Sequence, residues 1–224
     1  MVVVSTSDEP PLGRLKAGLT ATTIAEWFRD QGMDVLLLMD SLTRLARAQR
    51  EVGLSSGEIP TTRGHPPSVF TMLPELLERA GPGERGTITG LYTVLVEADD
   101  MNEPIADAAR ATLDGHIVLS RELANRNHYP AVAVTQSASR LMRDVSDPAH
   151  HEAASQFRKL LAAWEDARDL ISIGAYEAGT SPLVDRALEL LGPMHQFLRQ
   201  SPDDRTSPER CVERLRKVVT GDGG

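Results

Sequence analysis

The sequence predicts an α/β fold in which a mostly parallel sheet covered by helices is followed by a domain made of helices alone. Three observations lead there. In the first half, short β-branched runs alternate with stretches of helical period, and strand, helix, strand in that order builds a parallel sheet. One of these runs, residues 35–39, is apolar at every position, the pattern of a central strand buried on both faces. After Asp147 and Pro148 the strand signal stops and three helical stretches follow.

Taken in order, residues 2–5 (VVVS) read as a strand and 15–31 as a helix with Leu15, Leu19, Thr22, Ile24, Trp27 and Phe28 on roughly one side. Residues 35–40 read as a strand, and 68–80 as a helix bearing Val69, Met72, Leu73, Leu76 and Leu77. Strands are predicted over 87–97, 116–120 and 131–135. The helices at 149–173, 182–200 and 208–219 begin at Asp147-Pro148, Ser181-Pro182 and Ser207-Pro208. Each pair sets a capping side chain directly before a residue whose φ already suits the first helical turn. The expected domains are 1–147 and 148–220, with a fraying tail at 221–224.

Composition excludes several classes of function. The chain of 224 residues is 41% hydrophobic and 25% charged, enough to bury a core. Its longest apolar run falls far short of the roughly 18 to 20 residues that cross a bilayer, and no signal-peptide pattern opens it. The single cysteine, Cys211, closes no intramolecular disulfide, which suits a reducing compartment. A net charge of -8 opposes non-specific binding to nucleic acid. His150 and His151 are adjacent and lack a partner at ligand spacing, so no zinc site is expected. No G-x-S-x-G follows a strand, so acyl transfer is set aside.

Two loops, 53–67 and 98–104, stand out by their glycine, proline and acidic content. In open parallel sheets, loops at the carboxyl ends of strands are where ligands bind. The strongest local signal is VLLLMDSLTR, an apolar strand that ends in Asp40 and turns at once into a helix. A carboxylate there can hold Mg²⁺ beside a nucleotide's phosphates; alternatively it merely caps the helix that starts at Ser41. A glycine-rich loop ending in Gly-Lys-Ser or Gly-Lys-Thr would decide between them, and this sequence has none. Either the chain has no business with nucleotides or it is a fragment.

The stretches TSDEPPLGRLKAGLTATTIAEWFRDQG, VLLLMDSLTRLARAQREVGL, GEIPTTRGHPPSVFTMLPELLERAG, DDMNEPIAD, LDGHIVLSR, NHYPAV and SASRLM together resemble the flagellar and type III protein-export ATPases, relatives of the rotary ATP synthase catalytic subunits. The resemblance runs in order along nearly the whole chain. It implies a RecA-like P-loop domain followed by a helical C-terminal domain, assembled as a homohexameric ring that uses ATP and Mg²⁺. Family members carry a β-barrel domain, the phosphate loop and a catalytic glutamate upstream of the matching region. The chain is therefore expected to be the C-terminal half of a longer protein and inactive alone.

Carried over position by position, Asp40 matches the carboxylate near Mg²⁺, and Arg44, one helical turn on, reaches toward phosphate. Arg140 in SASR matches the arginine finger that enters the neighbouring subunit's site. A guanidinium spreads its charge over a fork of donors, and such a finger is worth about 10³ to 10⁵ in rate. Tyr129 in NHYPAV matches the residue that stacks on adenine, and Phe197 is a second candidate wall of that pocket. Asp99, Asp100 and Glu103 would face a basic coiled-coil stalk, and Arg63 and His65 the ring's interface or bore.

The implied function is ATP-driven protein export at the cytoplasmic face of the inner membrane, peripheral to the membrane export gate. Its implied partners are central-stalk and regulator proteins, export chaperones and export substrates, with no nucleic acid. The alternatives are a non-catalytic module that binds stalk or chaperone proteins, and a virulence-type rather than flagellar system. A transcription-termination RNA helicase, a more distant relative, finds no support in the acidic balance.

Overall fold

The computed structural model describes residues 1–221. Two compact units make up the chain, the first Met1–Leu113 and the second beginning at Asp114. The first contains α1 (Pro11–Asp30), β1 (Asp34–Met39), α2 (Leu42–Ser55), α3 (Pro67–Leu77), β2 (Gly81–Pro82), β3 (Thr87–Tyr92) and α4 (Pro104–Thr112). Single 3₁₀ turns interrupt the loops at Thr62–Gly64 and Glu97–Asp99. The sheet order is β1-β3-β2. β1 and β3 run parallel with Asp34 opposite Thr87 and Met39 opposite Tyr92, whereas the short β2 is antiparallel to β3.

Side chains alternate across a strand, so β1 sends Val35, Leu37 and Met39 to one face and Leu36 and Leu38 to the other. On the first face Leu37 and Ile88 are buried with Ala25 of α1. Beside them Leu42, Leu45, Val69, Leu73, Leu76 and Ile105 close a core between α2, α3 and α4. The second face is open: Leu36, Leu38 and Leu91 are 60%, 68% and 51% exposed. The expectation of burial on both faces is thus corrected, because helices of this unit cover one side only and apolarity along a strand does not supply the layer that would cover it.

Residues 2–5 form no ladder among the described residues, and Val2 and Val4 are exposed. β-Branched content favours an extended backbone but does not provide a neighbouring strand. The predicted strand 87–97 ends as a ladder at Tyr92; Ala98 and Asp99, at φ 52 and 59, turn the chain away.

The second unit holds β4 (Gly115–His116), α5 (Arg121–Asn125), β5 (Ala138–Ser139), α6 (Met142–Val145), α7 (Pro148–Ser172), α8 (Pro182–Leu198) and α9 (Pro208–Thr220). The last three start where their caps predict: Asp147, Ser181 and Ser207 accept the backbone N–H of His150, Val184 and Arg210. Phe157, Leu160, Leu161, Leu190, Met194 and Leu215 form their shared core. The predicted strands 116–120 and 131–135 do not extend a parallel sheet. They meet each other antiparallel, with Ser120 N donating to Ala131 O and Ala133 N to Val118 O, both at 2.8 Å.

That loose hairpin belongs to the second compact unit, which begins at Asp114. Val134 packs on the helical core, Arg158 donates to Ser137 O at 2.8 Å and Thr135 to Glu165 at 2.7 Å. Arg168 pairs with Glu122 at 3.0 Å. Gly221, at φ 87, ends α9 with its N–H on Lys217 O, a left-handed cap that glycine adopts without strain. The remainder of the predicted tail, 222–224, lies outside the described residues. Among the described residues no helix is long and apolar enough to cross a membrane.

Candidate functional site

The apolar run of β1 carries the chain to the carboxyl rim of the sheet and delivers Asp40 there, exposed, immediately before α2. Asp40 is not the cap of that helix. Ser41 is: its buried hydroxyl accepts the Arg44 N–H at 3.3 Å. The Asp40 carboxylate is instead held by Thr93, whose Oγ1 donates to Oδ1 at 2.7 Å. The two meet because the β1–β3 register continues one step past Met39 and Tyr92, through Thr93 N to Met39 O at 3.0 Å and Leu42 N to Thr93 O at 2.9 Å.

Beyond Thr93 a second threonine extends the same seam. Thr43, 5% exposed, accepts the Leu95 N–H at 2.9 Å and donates to Leu95 O at 3.3 Å. The first turn of α2 and the continuation of β3 are thereby stitched together on either side of Asp40.

Asp40 and Arg44 line one cavity of about 620 Å³, together with Ser41, Arg14, Arg47 and Glu51. Arg14 is paired with Glu51 at 2.8 Å and Arg47 with Glu97 at 3.2 Å. Arg44, exposed on the outer side of α2, has no carboxylate partner among the described residues. A cavity with an uncommitted guanidinium and a carboxylate at the end of a parallel strand suits a phosphorylated ligand with a hard cation. The donor set also fits Mg²⁺, which keeps most of its waters and needs only one or two carboxylates beside substrate phosphates. Among the described residues no group of three or more His, Cys, Asp or Glu converges on such a point.

The other site candidates belong to the second unit. Tyr129, 53% exposed, follows α5 and lines an open cavity of about 330 Å³ with Asn127, Arg199, Gln200 and Ser201. Its carbonyl accepts the Gln200 N–H at 2.9 Å, so the Tyr129 loop and the end of α8 form one wall. Beneath it His128 is buried, its ring 6.0 Å from that of His195, which lies edge-on to Trp164 at 5.2 Å. Burial holds both imidazoles below their usual 6.5, and for His195 the nearby His128 and Arg199 add to the effect.

Phe197 is placed differently from Tyr129. Its ring is 5.5 Å from that of Phe157 and lies under the Arg214 guanidinium at 6.0 Å. It packs against the helical core, and Arg199 is the first residue of α8's end to line the Tyr129 cavity. Arg140 follows β5 and is exposed; its N–H donates to Asp114 O at 2.7 Å.

The two unusual loops of the first unit meet each other. Arg63, at φ 47, pairs with Asp100 at 2.7 Å, and that hydrogen bond together with the Asn102 N–H holds the Asp100 carboxyl below the usual carboxylate range. Glu103 caps α4 by accepting the N–H groups of Ile105 and Ala106, both at 3.0 Å. Asp100 and Glu103, both assigned to a basic partner, are thus engaged within the chain. His65 is 8% exposed and its Nδ1 has no hydrogen-bond partner among the described residues; burial, then Arg50, keeps it below its usual value.

Sequence reasoning named Asp40, Arg44, Tyr129, Phe197 and Arg140 as candidates and did not single out Thr93, Thr43, Arg14 or Arg47. Nothing in YTVLVE distinguishes a threonine that faces a carboxylate from one chosen for strand propensity. Only the register shows it.

The nucleotide-binding domain of the ATP synthase alpha/beta family matches residues 1–139, and the T3SS EscN ATPase C-terminal domain matches 146–217. A flagellum-specific ATP synthase of Bacillus subtilis is 54% identical over 219 residues, which are 98% of this chain and 50% of that protein. The assembled ATPase EscN of the enteropathogenic E. coli type III secretion system superposes with a TM-score of 0.93 at 53% identity, over 96% of this chain and 52% of that one. EscN in complex with its central stalk EscO gives 0.87 at 52% identity, over 96% and 52%. The chain spans about half the length of the relatives it matches. With a RecA-like sheet carrying Asp40, a helical C-terminal part and these matches along nearly every residue, the chain belongs to the ATP synthase alpha/beta family, among the flagellar and type III secretion ATPases.

Proposed function

We propose that this chain is the C-terminal part of an ATPase that energises protein export through the flagellar, type III, secretion apparatus. The observation that carries the proposal is the cavity at the carboxyl rim of the sheet, where Asp40 and Arg44 stand together and Asp40 is free of any capping duty. In this reading Asp40 orients the waters of a Mg²⁺ ion and Arg44 meets phosphate oxygens. Bound there, Mg²⁺ would supply positive charge that offsets the charge of a nucleotide's phosphates.

Tyr129 offers an exposed ring beside the Gln200 and Ser201 backbone for stacking on adenine, with Phe197 assigned a supporting place behind it. Arg140, exposed after β5, enters the site of the neighbouring protomer in a hexameric ring and neutralises charge that builds on the transferred phosphoryl group. The ring's partners are a central stalk, regulators, export chaperones and substrates. Its place is the cytoplasm, at the periphery of the inner membrane. The assembled EscN structure and its complex with EscO support the ring and the stalk.

The test is a subunit-mixing experiment on the full-length protein. Asp40→Asn and Arg140→Ala should each lower ATP turnover by about 10³-fold or more, with secondary structure and melting temperature kept. A mixture of the two variants should recover part of the activity, since some interfaces then pair an intact Asp40 with an intact Arg140. Full activity in Arg140→Ala, or a mixture no more active than its components, refutes the shared site.

A further inference from the structure

We infer that Thr93 is a positioning residue for the Asp40 carboxylate, setting its orientation before any cation arrives. The inference rests on the assignment of Asp40 made above and deepens it. Asp40 and Thr93 are neighbours across the parallel pair and share the open face of the sheet. Leu36 and Leu38 lead along β1 to Asp40, and Leu91 leads along β3 to Thr93; all five are exposed. At the carboxyl ends of the two strands these side chains are bonded to one another at 2.7 Å.

The hydroxyl is not what keeps the backbone there. Thr93 N–H on Met39 O and Leu42 N–H on Thr93 O already join β3 to the start of α2, and Thr43 repeats the seam two residues on. The side-chain bond therefore has a separate effect, which is to restrict the carboxylate. An aspartate χ2 is a broad, two-fold rotor, so a carboxylate at an exposed rim is loosely aimed. Threonine is β-branched and stiff at χ1. A hydroxyl on such a residue, donating to Oδ1, fixes the plane of the carboxylate and leaves Oδ2, which has no protein donor among the described residues, to accept from a cation's water shell.

Groups that hydrogen-bond a metal-orienting carboxylate typically affect affinity or rate by about 10- to 100-fold when removed. The same size of effect is expected here. The experiment uses the full-length protein with Thr93→Val, which keeps the branched shape and deletes the hydroxyl, Thr93→Ser, which keeps the hydroxyl, and Asp40→Asn. Mn²⁺ binding to the ADP complex is titrated by electron paramagnetic resonance, kcat and KM are measured for ATP, and melting temperature is recorded.

Thr93→Val should raise the Mn²⁺ dissociation constant and lower kcat by about 10-fold, with KM for nucleotide and melting temperature nearly unchanged, and Thr93→Ser should restore both. Wild-type Mn²⁺ binding in Thr93→Val, while Asp40→Asn has lost it, overturns the positioning role and leaves the Asp40 assignment standing. Wild-type Mn²⁺ binding in Asp40→Asn overturns the assignment itself. Equal losses in Thr93→Val and Thr93→Ser with a lowered melting temperature make the residue a part of the fold, and the inference falls.

Discussion

Thr43→Val isolates the stitch beside the candidate site, and its cost can be worked from the structure. Valine has the shape of threonine without the hydroxyl, so packing around this residue, 5% exposed, is retained. Two hydrogen bonds are lost, one at 2.9 Å from Leu95 N–H and a longer one at 3.3 Å to Leu95 O. Each contributes about 1 kcal/mol net, the longer one less, and a partly buried N–H left without an acceptor costs about 1 kcal/mol more. The total is about 2 kcal/mol. For a unit of roughly 110 residues, where 1 kcal/mol moves the melting temperature by about 4 °C, this is a fall of about 8 °C. The assay is amide hydrogen exchange followed residue by residue, beside thermal melts. The Leu95 amide should lose protection in Thr43→Val and keep it in Thr43→Ser. A valine variant within about 0.5 kcal/mol of the parent, with Leu95 still protected, would refute the claim that the hydroxyl joins β3 to α2.

Other outcomes follow from packing and from titration. Gly86→Ala places a Cβ against the carbonyl oxygen of Met33 and 2.6 Å from that of Arg29. Backbone cannot swing aside, so denaturant unfolding should show a loss of about 3 kcal/mol, the upper end for overpacking. Gly192→Ala, in the exposed interior of α8 with nothing within 4 Å, should instead gain about 0.5 to 1 kcal/mol from helix propensity. His65, His128 and His195 are all held below 6.5 in the fold. The fold therefore disfavours their charged forms, and their contribution to stability is full above 6.5 and lost as the pH falls from there through the lower folded values. Melting temperature should drop between pH 7 and 5, less so in His195→Gln; a flat profile over that interval counts against the buried imidazoles.

The parts of the fold legible in the sequence are those that depend on near neighbours. Asp147, Ser181 and Ser207 predict the starts of α7, α8 and α9 because a cap bonds to a backbone N–H three residues away. The exit of β1 into Asp40 and α2 is visible for the same reason, since an apolar run and the helix after it lie within a few positions. Tyr129 and Arg140 became candidates by another route, the resemblance of the NHYPAV and SASRLM segments to the family. Phe197 shows what the sequence leaves out: its ring neighbours, Phe157 and the Arg214 guanidinium, come from other helices.

What the tertiary structure alone decided depends on register and on which layers are present. Comparable β-branched runs became a parallel ladder at 87–92, an antiparallel bridge near 119 and 132, and, at 2–5, a segment with no ladder among the described residues, because a strand is defined by its neighbour. Ser41 rather than Asp40 took the cap, which freed the carboxylate for Thr93, 53 residues away in sequence. Composition and periodicity describe one segment at a time, whereas that pairing arises only when two strands align in a single register. The candidate residues were therefore visible in the sequence, and the hydroxyl bonded to one of them appeared only on folding.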